Sequence, residues 1–325
     1  MTTYRRTKPI KRDKSHELVA LRELAIRISN TNTREKTFFS NMYKAAKAGY
    51  DGEFKIDRIL ENIAFPTLHS IIPDFHTQSK FGAYYQMDTV IVTNRYILLL
   101  EIKNIRGLIE FHENPAHIIR TFEGVKEKMD CPIHQLARNS KTLENLVCHV
   151  TKKLPIYSAI VFCNSTAQIT SYPPTVKLLY KNQVDFFIEK LNALPEVCEK
   201  SEYQQLVKLL ISKNKNFKNI PLSVRYSINH TILRRCVFCQ QCEEPMYPLN
   251  RSIAFLCSTC NTTSQEAMGN SIIGLFGILD REISREQLEH YLNLKSKDRI
   301  LKALTHLHCI KKGKARATRY SLPRT

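Results

Sequence analysis

The stretch that decides the fold is YYQMDTVIVTNRYILLLEIKN, which runs from Tyr84 to Asn104. It contains two runs rich in aliphatic and β-branched residues, as is typical of buried β-strands. Between the runs stand Asn94 and Arg95, a dipeptide that can fill a two-residue hairpin turn. The stretch therefore predicts a β-hairpin at the centre of a sheet.

The register of this hairpin follows from the turn. If Asn94-Arg95 is a two-residue turn, Thr93 pairs with Tyr96, and counting outward places Asp88 directly opposite Glu101. Because side chains alternate between the faces of a strand, Lys103 lies on the same face as Glu101. The sequence thus predicts that three ionisable side chains converge.

Two interpretations of this convergence compete. Glu101 and Lys103 fit an ordinary solvent-exposed ion pair, which by itself says little about function. An exposed strand alternates polar and apolar residues, however, and residues 97–100 are apolar on both faces. Opposed carboxylates with β-carbons about 5 Å apart repel each other, and bound Mg²⁺ or Mn²⁺ would compensate this repulsion. We therefore favour a phosphodiester-hydrolysing site in which Lys103 orients a water molecule or stabilises developing negative charge.

Strands and helices around the hairpin predict an α/β fold with a mixed central sheet flanked by helices. Further strands are expected at residues 69–72, 108–111 and 156–162. Helices are expected at residues 15–29, from 50–52 to 63, and at 132–150, 184–194, 202–213, 284–291 and 296–307.

The chain divides into five expected segments. They are a basic N-terminal segment and helix (1–47), a nuclease-like domain (48–215), a linker (216–235), a zinc ribbon (236–265) and a helical tail (266–325). The tail ends in the basic run KKGKARATRY and resembles in outline a small winged-helix-like DNA-binding domain.

Several short motifs occur together in the expected nuclease-like segment. They are Gly52-Glu53 at a helix start, Gln86-x-Asp88, Glu101-Ile102-Lys103-Asn104, Gly107 and Pro132-x-x-Gln135. Taken together, they resemble the NERD (nuclease-related) domain of the PD-(D/E)xK superfamily over about residues 48–165. One departure is Cys131, where similar sequences tend to have Asn before the proline.

The resemblance implies a restriction-endonuclease-like fold, an enzyme that acts in DNA processing, and roles for individual residues. Asp88 and Glu101 would be ligands of the catalytic Mg²⁺ or Mn²⁺, and Lys103 would be the catalytic lysine. Glu53 would be an accessory acid, and Gln86 and Gln135 would be polar accessory residues. Taken from the residues alone, Glu53 fits equally a solvated acid at a helix start, and Gln135 an ordinary residue of an amphipathic helix.

Four cysteines have the spacing of metal ligands. Cys239-x-x-Cys242 and Cys257-x-x-Cys260 bracket fourteen residues, which suits two turns that hold one tetrahedral Zn²⁺. Four sulfur ligands leave no open position, so this zinc would be structural. Cys236 competes with Cys242 because Cys236-x-x-Cys239 has the same spacing, and reduced cysteines without metal are the remaining alternative.

Composition bounds the class of protein. Lys and Arg number 49 against 30 Asp and Glu, which gives a net charge of +19. This excess favours nucleic acid as a partner over an acidic membrane surface or a purely solvated exterior, and the resemblance implies DNA ahead of RNA. We find neither a run of about 20 apolar residues nor an apolar stretch after the basic N-terminus, so we expect a cytoplasmic protein without a membrane partner. The sequence does not specify protein partners.

Three functions fit these features in decreasing order. The first is a Mg²⁺- or Mn²⁺-dependent nuclease acting on DNA. The second is a non-catalytic nucleic-acid-binding or regulatory protein that uses the zinc ribbon and the basic surface. The third is a protein-interaction scaffold, for which DNA affinity would be independent of salt.

Overall fold

The structure is a computed structural model that describes residues 5–6, 10–79, 82–214, 220–250 and 252–323. Residues 215–219, which include the start of the expected linker, lie outside this range. The chain forms two compact units. Unit 1 comprises Met1–Asp13 and Ala48–Phe217, and unit 2 comprises Lys14–Lys47 and Lys218–Thr325.

The secondary structure of the described residues is as follows. The helices are α1 (His16–Arg27), α2 (Thr33–Leu60), α3 (Pro132–Val147), α4 (Val184–Asn192), α5 (Lys200–Lys213), α6 (Leu222–Arg225), α7 (Ala267–Ile278), α8 (Arg285–Leu292) and α9 (Lys297–His306). The strands are β1 (Arg5–Arg6), β2 (Ala64–Phe65), β3 (His69–Gln78), β4 (Tyr84–Thr93), β5 (Ile97–Lys103), β6 (Gly107–Glu113), β7 (Ala116–Phe122), β8 (Val125–Asp130), β9 (Ile156–Phe162), β10 (Ala167–Ser171), β11 (Leu178–Tyr180), β12 (Val237–Phe238), β13 (Pro245–Pro248), β14 (Phe255–Cys257), β15 (Thr263–Ser264), β16 (Ile310–Lys312) and β17 (Arg319–Ser321).

Unit 1 is built on a mixed five-stranded sheet with the strand order β11-β9-β5-β4-β3. The hairpins β3–β4 and β4–β5 are antiparallel, whereas β5, β9 and β11 run parallel. A second sheet with the order β10-β6-β7-β8 follows in the same unit. The mixed α/β class predicted from the sequence is therefore confirmed.

The central sheet of unit 1 is covered on both faces. Leu99 of β5 belongs to an apolar cluster that includes residues of α3 and α5. Its neighbours Leu98 and Leu100 belong to a second cluster, which includes residues of α2 and α4. All three leucines are fully buried. The apolar character of residues 97–100 thus reflects burial on two sides, which excludes an exposed strand.

Unit 2 combines a helical core with two small sheets. Helices α1 and α7 cross closely. A β-carbon on Gly274 would lie 2.4 Å from the β-carbon of Glu23, and one on Gly277 would lie 2.4 Å from that of Ala20. Strands β12 to β15 form a four-stranded antiparallel sheet around the cysteine motifs, and β16 and β17 form a hairpin. Among the described residues, no helix has the length and apolar character needed to cross a membrane.

The main differences from the sequence-based elements concern helix α2 and several elements that were not expected, among them β7, β8 and α7. Helix α2 begins at Thr33 rather than near Tyr50, since Gly49 and Gly52 suggest a boundary but lie inside the helix. Strand β8 carries mostly charged side chains, and β7 mixes apolar and polar residues without regular alternation, so neither has a strand pattern. Helix α7 is apolar on most of its circumference, so it lacks a clear helical period. The division into five segments stays a prediction.

Candidate active site and cysteine cluster

The β4–β5 hairpin has the register predicted from the sequence. The amide of Thr93 donates to the carbonyl of Tyr96 (2.9 Å), and Thr89 pairs with Leu100. Continuing this register by one step places Asp88 beside Glu101. Beyond Leu100 a side chain replaces the backbone as the acceptor of a hydrogen bond from β5. Asp88 Oδ2 accepts this bond from the amide of Ile102 (2.7 Å).

Glu101 is the most constrained acid of the group. Its side chain is fully buried, and Oε1 accepts a hydrogen bond from Lys103 Nζ at 2.6 Å. The second oxygen, Oε2, is buried without a hydrogen-bond partner among the described residues. Burial and the neighbouring charge of Asp88 raise the pKa of Glu101 to about 7, against the attraction of Lys103. A buried carboxylate oxygen without a partner is costly unless a ligand or cation contacts it.

Asp88 and Lys103 complete the charged cluster. Burial raises the pKa of Asp88, although the charge of Lys103 and the hydrogen bond from Ile102 act in the opposite direction. Burial alone would lower the pKa of Lys103, but attraction to Glu101 and Asp88 outweighs it and raises that pKa. The lysine is therefore held in its charged form beside two crowded carboxyl groups.

The two glutamines expected from the resemblance occupy different places. Gln135, on the first turns of α3, accepts a hydrogen bond from Lys103 Nζ at Oε1 (3.2 Å). Gln86 instead donates from Nε2 to Asp74 Oδ1 (2.8 Å). Gln135 thus contacts the lysine directly, whereas Gln86 reaches the cluster through Asp74.

Asp74 was not singled out from the sequence, yet it lies at the same level of the sheet. In the β3–β4 pairing, Pro73 faces Thr89 and Phe75 faces Met87, which puts Asp74 opposite Asp88. Asp74 has a positive φ of 48°, a conformation that Asp tolerates better than most residues. Its charge helps raise the pKa of Asp88. Asp74, Asp88 and Glu101 therefore lie in a row across β3, β4 and β5. The signal for Asp74 in the sequence was the dipeptide Pro73-Asp74 inside a strand-like run.

Glu53 is linked to this row through Arg12, which was also missed. Arg12 donates to Glu53 Oε2 and to Asp57 Oδ2, both at 2.6 Å, and to the carbonyl of Asp88 at 2.9 Å. Burial and the charge of Asp88 raise the pKa of Glu53 to about 8, although Arg12 counteracts them. Asp57 follows Glu53 by one helical turn, so an acidic pair on one face of α2 was the signal in the sequence.

Gly52 has a steric reason for its place beside Glu53. A β-carbon at Gly52 would lie 2.7 Å from the β-carbon of Asn104 and 2.8 Å from the sulfur of Cys163. Real β-carbon contacts are longer than this, so only glycine lets α2 approach the end of β5. The side-chain amide of Asn104 then donates to the carbonyl of Ala48 at 2.8 Å. The position of Glu53 therefore depends on a close helix–strand contact.

The donor set fits a hard divalent cation. Asp88 and Glu101 offer carboxylate oxygens on one face of the sheet, and the unpartnered Oε2 of Glu101 is buried at this place. Carboxylate oxygens are the ligands that Mg²⁺ and Mn²⁺ prefer. A cation there would also relieve the repulsion that raises the pKa of Glu101.

The cysteines of unit 2 form one cluster. The ligand atoms of Cys239, Cys242, Cys257 and Cys260 all lie within 4.8 Å of one another. Cys242 Sγ is 3.4 Å from Cys257 Sγ and 3.5 Å from Cys260 Sγ. Four sulfurs bound tetrahedrally to zinc at about 2.3 Å are separated by about 3.8 Å, whereas a disulfide measures about 2.05 Å. The cluster therefore fits a zinc ribbon.

The two turns of the ribbon have matching backbone geometry. The amide of Cys239 donates to the carbonyl of Glu244, and the amide of Cys257 donates to that of Thr262. Glu243 and Asn261 have positive φ angles of 62° and 57° at equivalent places in the two turns. Cys236 is not a member of the cluster, and burial raises its pKa to about 11. The structure thus selects Cys242 over Cys236 as the partner of Cys239.

Comparison with known families gives a match over the part of the chain that contains this cluster. Residues 48–163 match the model of the nuclease-related domain (NERD). The chain therefore contains a nuclease-related domain, which includes all the acidic residues of the cluster and Lys103. No curated protein gives a significant match, and neither does any solved structure.

Proposed function

We propose that the protein is a Mg²⁺- or Mn²⁺-dependent nuclease that hydrolyses phosphodiester bonds in DNA and acts in DNA processing. The single observation that carries this proposal is Glu101 Oε2, a buried carboxylate oxygen without a partner among the described residues, beside Asp88 and Lys103. A buried cluster of this charge is unfavourable for stability alone and has the composition of a cation-dependent hydrolytic site. The nuclease-related family of residues 48–163 supports the same reaction class.

In this proposal each side chain has a distinct task. Asp88 and Glu101 hold the cation, which would supply charge neutralisation for phosphate oxygens and acidification of a bound water. Lys103 carries its positive charge into the site and stabilises the negative charge that develops on the phosphate, or orients the attacking water. Gln135 fixes the amine of Lys103 through its hydrogen bond.

Glu53 has an accessory task. Its carboxylate accepts a hydrogen bond from Arg12, and this contact holds Arg12 beside the backbone of Asp88. It positions the acidic row from the side of α2. Asp74 and Gln86 support the same row from β3 and β4.

The direct test measures DNA hydrolysis by the purified full chain with Mg²⁺ or Mn²⁺. Asp88→Ala and Lys103→Ala are each expected to lower the rate at least about 100-fold, because each removes a charge that acts on the reacting phosphate. Asp130→Ala and Lys128→Ala are matched controls, since both residues are exposed on β8. Activity that survives both site substitutions would refute the nuclease assignment.

The zinc ribbon and basic tail are proposed to hold nucleic acid near the reaction, with zinc as a structural metal. The purified chain is expected to contain about one zinc, because one Cys₄ site has four ligands and no open position. Cys242→Ser should lose this zinc, whereas Cys236→Ser should keep it. A non-catalytic binding protein would contain the same zinc but show no Mg²⁺-dependent hydrolysis and no binding of Mg²⁺ at Asp88 and Glu101.

A further inference from the structure

The C-terminal part of unit 2 combines three helices with a β-hairpin. Helices α7, α8 and α9 precede the hairpin β16–β17, and Ile283, between α7 and α8, bridges to Tyr320 of β17 in antiparallel fashion. Ile300 and Leu304 bury one face of α9 in the core of the unit. Exposed side chains of α9, of the hairpin and of the residues next to them are left at the surface. We call the exposed side chains of the described residues between 295 and 319 the helix–hairpin surface.

The helix–hairpin surface is strongly cationic. Its exposed basic side chains are those of Lys295, Lys297, Lys302, Lys311, Lys312, Lys314 and Arg319. Between residues 293 and 323 the only acidic residue is Asp298. Of the cations, Lys312 pairs with Glu282, and within the described chain the other lysines of the surface have no ion pair. Exposed lysines without ion pairs give this part of the chain a positive potential, which would attract an anionic partner.

The position of two lysines at the start of α9 also favours an anionic partner. Lys295 and Lys297 flank the N-terminus of the helix, where the helix dipole disfavours positive charge. Asp298 in the first turn compensates only one of them. Phosphate groups are favoured at such a helix terminus, which adds to the attraction by the lysine side chains.

The shape of the surface distinguishes among polyanions. Helix α9 has ten residues, is about 15 Å long and, with a diameter of roughly 10–12 Å, fits the B-DNA major groove, which is about 12 Å wide. The major groove of A-form RNA is too narrow for such a helix. Single strands are held by stacking of bases on exposed aromatic rings, but Phe276, Tyr291 and Tyr320 in this region are all buried.

From these observations we infer that the helix–hairpin surface binds duplex DNA, with α9 in the major groove and the hairpin against the adjacent phosphate backbone. Lys297 and Lys302 contact the duplex from the helix, and Lys311 contacts it from β16. Arg299 is not part of this contact, because its guanidinium donates to the carbonyl of Leu249 at 2.7 Å. The inference rests on the proposed function for the substrate class, which is DNA. It goes further by naming duplex DNA as the form that is bound.

The test measures binding of the zinc-loaded full chain to a fluorescent 20-base-pair duplex by anisotropy, without added Mg²⁺ or Mn²⁺. The triple variant Lys297→Ala, Lys302→Ala, Lys311→Ala is expected to raise the Kd at least about tenfold. The slope of log Kd against the logarithm of the salt concentration should be smaller by roughly 0.9 for each phosphate that the variant no longer neutralises. The matched control is Arg34→Ala, Lys44→Ala, Lys208→Ala. It removes the same charge from exposed positions on α2 and α5 and should bind like the original chain.

The same measurement includes the single strand of identical sequence and a duplex RNA. Tighter binding of duplex DNA than of either competitor, abolished in the triple variant, supports the inference. Equal affinities of the triple variant and the control would overturn it, as would equal binding of the three nucleic acids by the original chain. Failure of the nuclease proposal is distinguishable, since it would leave this binding intact while hydrolysis with Mg²⁺ is absent. Thermal unfolding of both triple variants verifies that they are folded.

Discussion

At the residue scale, the carboxyl group of Glu101 connects the stability of the protein to pH. Its pKa in the folded chain is about 7, above the ordinary value of 4.5, because the group is buried next to Asp88. Between these two values the folded state retains a proton that the unfolded state releases. The free energy of unfolding therefore falls as the pH rises from about 4.5 to 7, as linkage requires.

We predict that, without divalent cations, the urea midpoint of unfolding decreases between pH 5 and pH 8, and that Glu101→Gln reduces this decrease. Asp88 and Glu53 have raised pKa values as well, so a part of the pH dependence persists in the variant. Glu127→Gln, at an exposed position, serves as the control. Addition of Mg²⁺ at pH 8 should stabilise the original chain more than the Gln variant. A variant with the full pH dependence would contradict this role of Glu101.

Individual site residues differ in how far they could be predicted. Asp88, Glu101 and Lys103 lie on adjacent strands joined by a two-residue turn, so counting along the sequence sufficed to bring them together. Arg12 contacts the backbone of Asp88 across 76 positions of the chain, and no local pattern encodes such a contact. Asp74 depends on a local irregularity of β3 that a strict alternation of side chains does not contain.

At the element scale, the close approach of α2 to β5 can be tested with two glycines of one helix. Gly52→Ala is expected to lower the free energy of unfolding by about 1–3 kcal/mol, since the new methyl group would overlap Asn104 and Cys163. Gly49→Ala has open space and should raise it by roughly 0.5–1 kcal/mol, because alanine favours a helix. Urea titration of both variants measures the difference, and an equal effect at the two positions would argue against a close contact.

Whole elements were predictable where their sequence has a clear period. Strand β9 was expected at its observed bounds, and α3 within three residues, because each has a regular apolar pattern and a clear flanking proline. The exposed β8 lacks apolar alternation, so its pairing with β7 depends on the rest of the sheet. The two cysteine turns could likewise be predicted from the local Cys-x-x-Cys spacing. The choice of Cys242 over Cys236 as a member of the cluster required the structure.

At the scale of the whole molecule, the basic terminal segment contributes to the stability of unit 1. Arg12 is buried and neutralises Glu53 and Asp57, although it lies 41 and 45 positions away from them. Arg12→Gln leaves these acids without their cation and is predicted to lower the free energy of unfolding by about 3–5 kcal/mol.

Arg58→Gln provides the matched comparison for that prediction. Arg58, near the end of the same helix, pairs with Glu61, which follows the helix directly. The side chain of Arg58 is 66% exposed, so its loss should cost less than about 1 kcal/mol. Urea titration of the full chain measures both variants. Similar losses at the two positions would show that Arg12 has no special structural role.

The crossing of α1 and α7 has a consequence for synthesis of the chain. The two helices pack together in unit 2, yet residues 28–266 lie between them in the sequence, and most of that stretch is the Ala48–Phe217 part of unit 1. Leu21 and Leu24 on α1 are buried only once α7 has left the ribosome. During translation this apolar face therefore stays exposed until the chain has been synthesised as far as α7. Unit 1 can complete its own core earlier, so unit 1, which includes the nuclease-related domain, is expected to fold before unit 2.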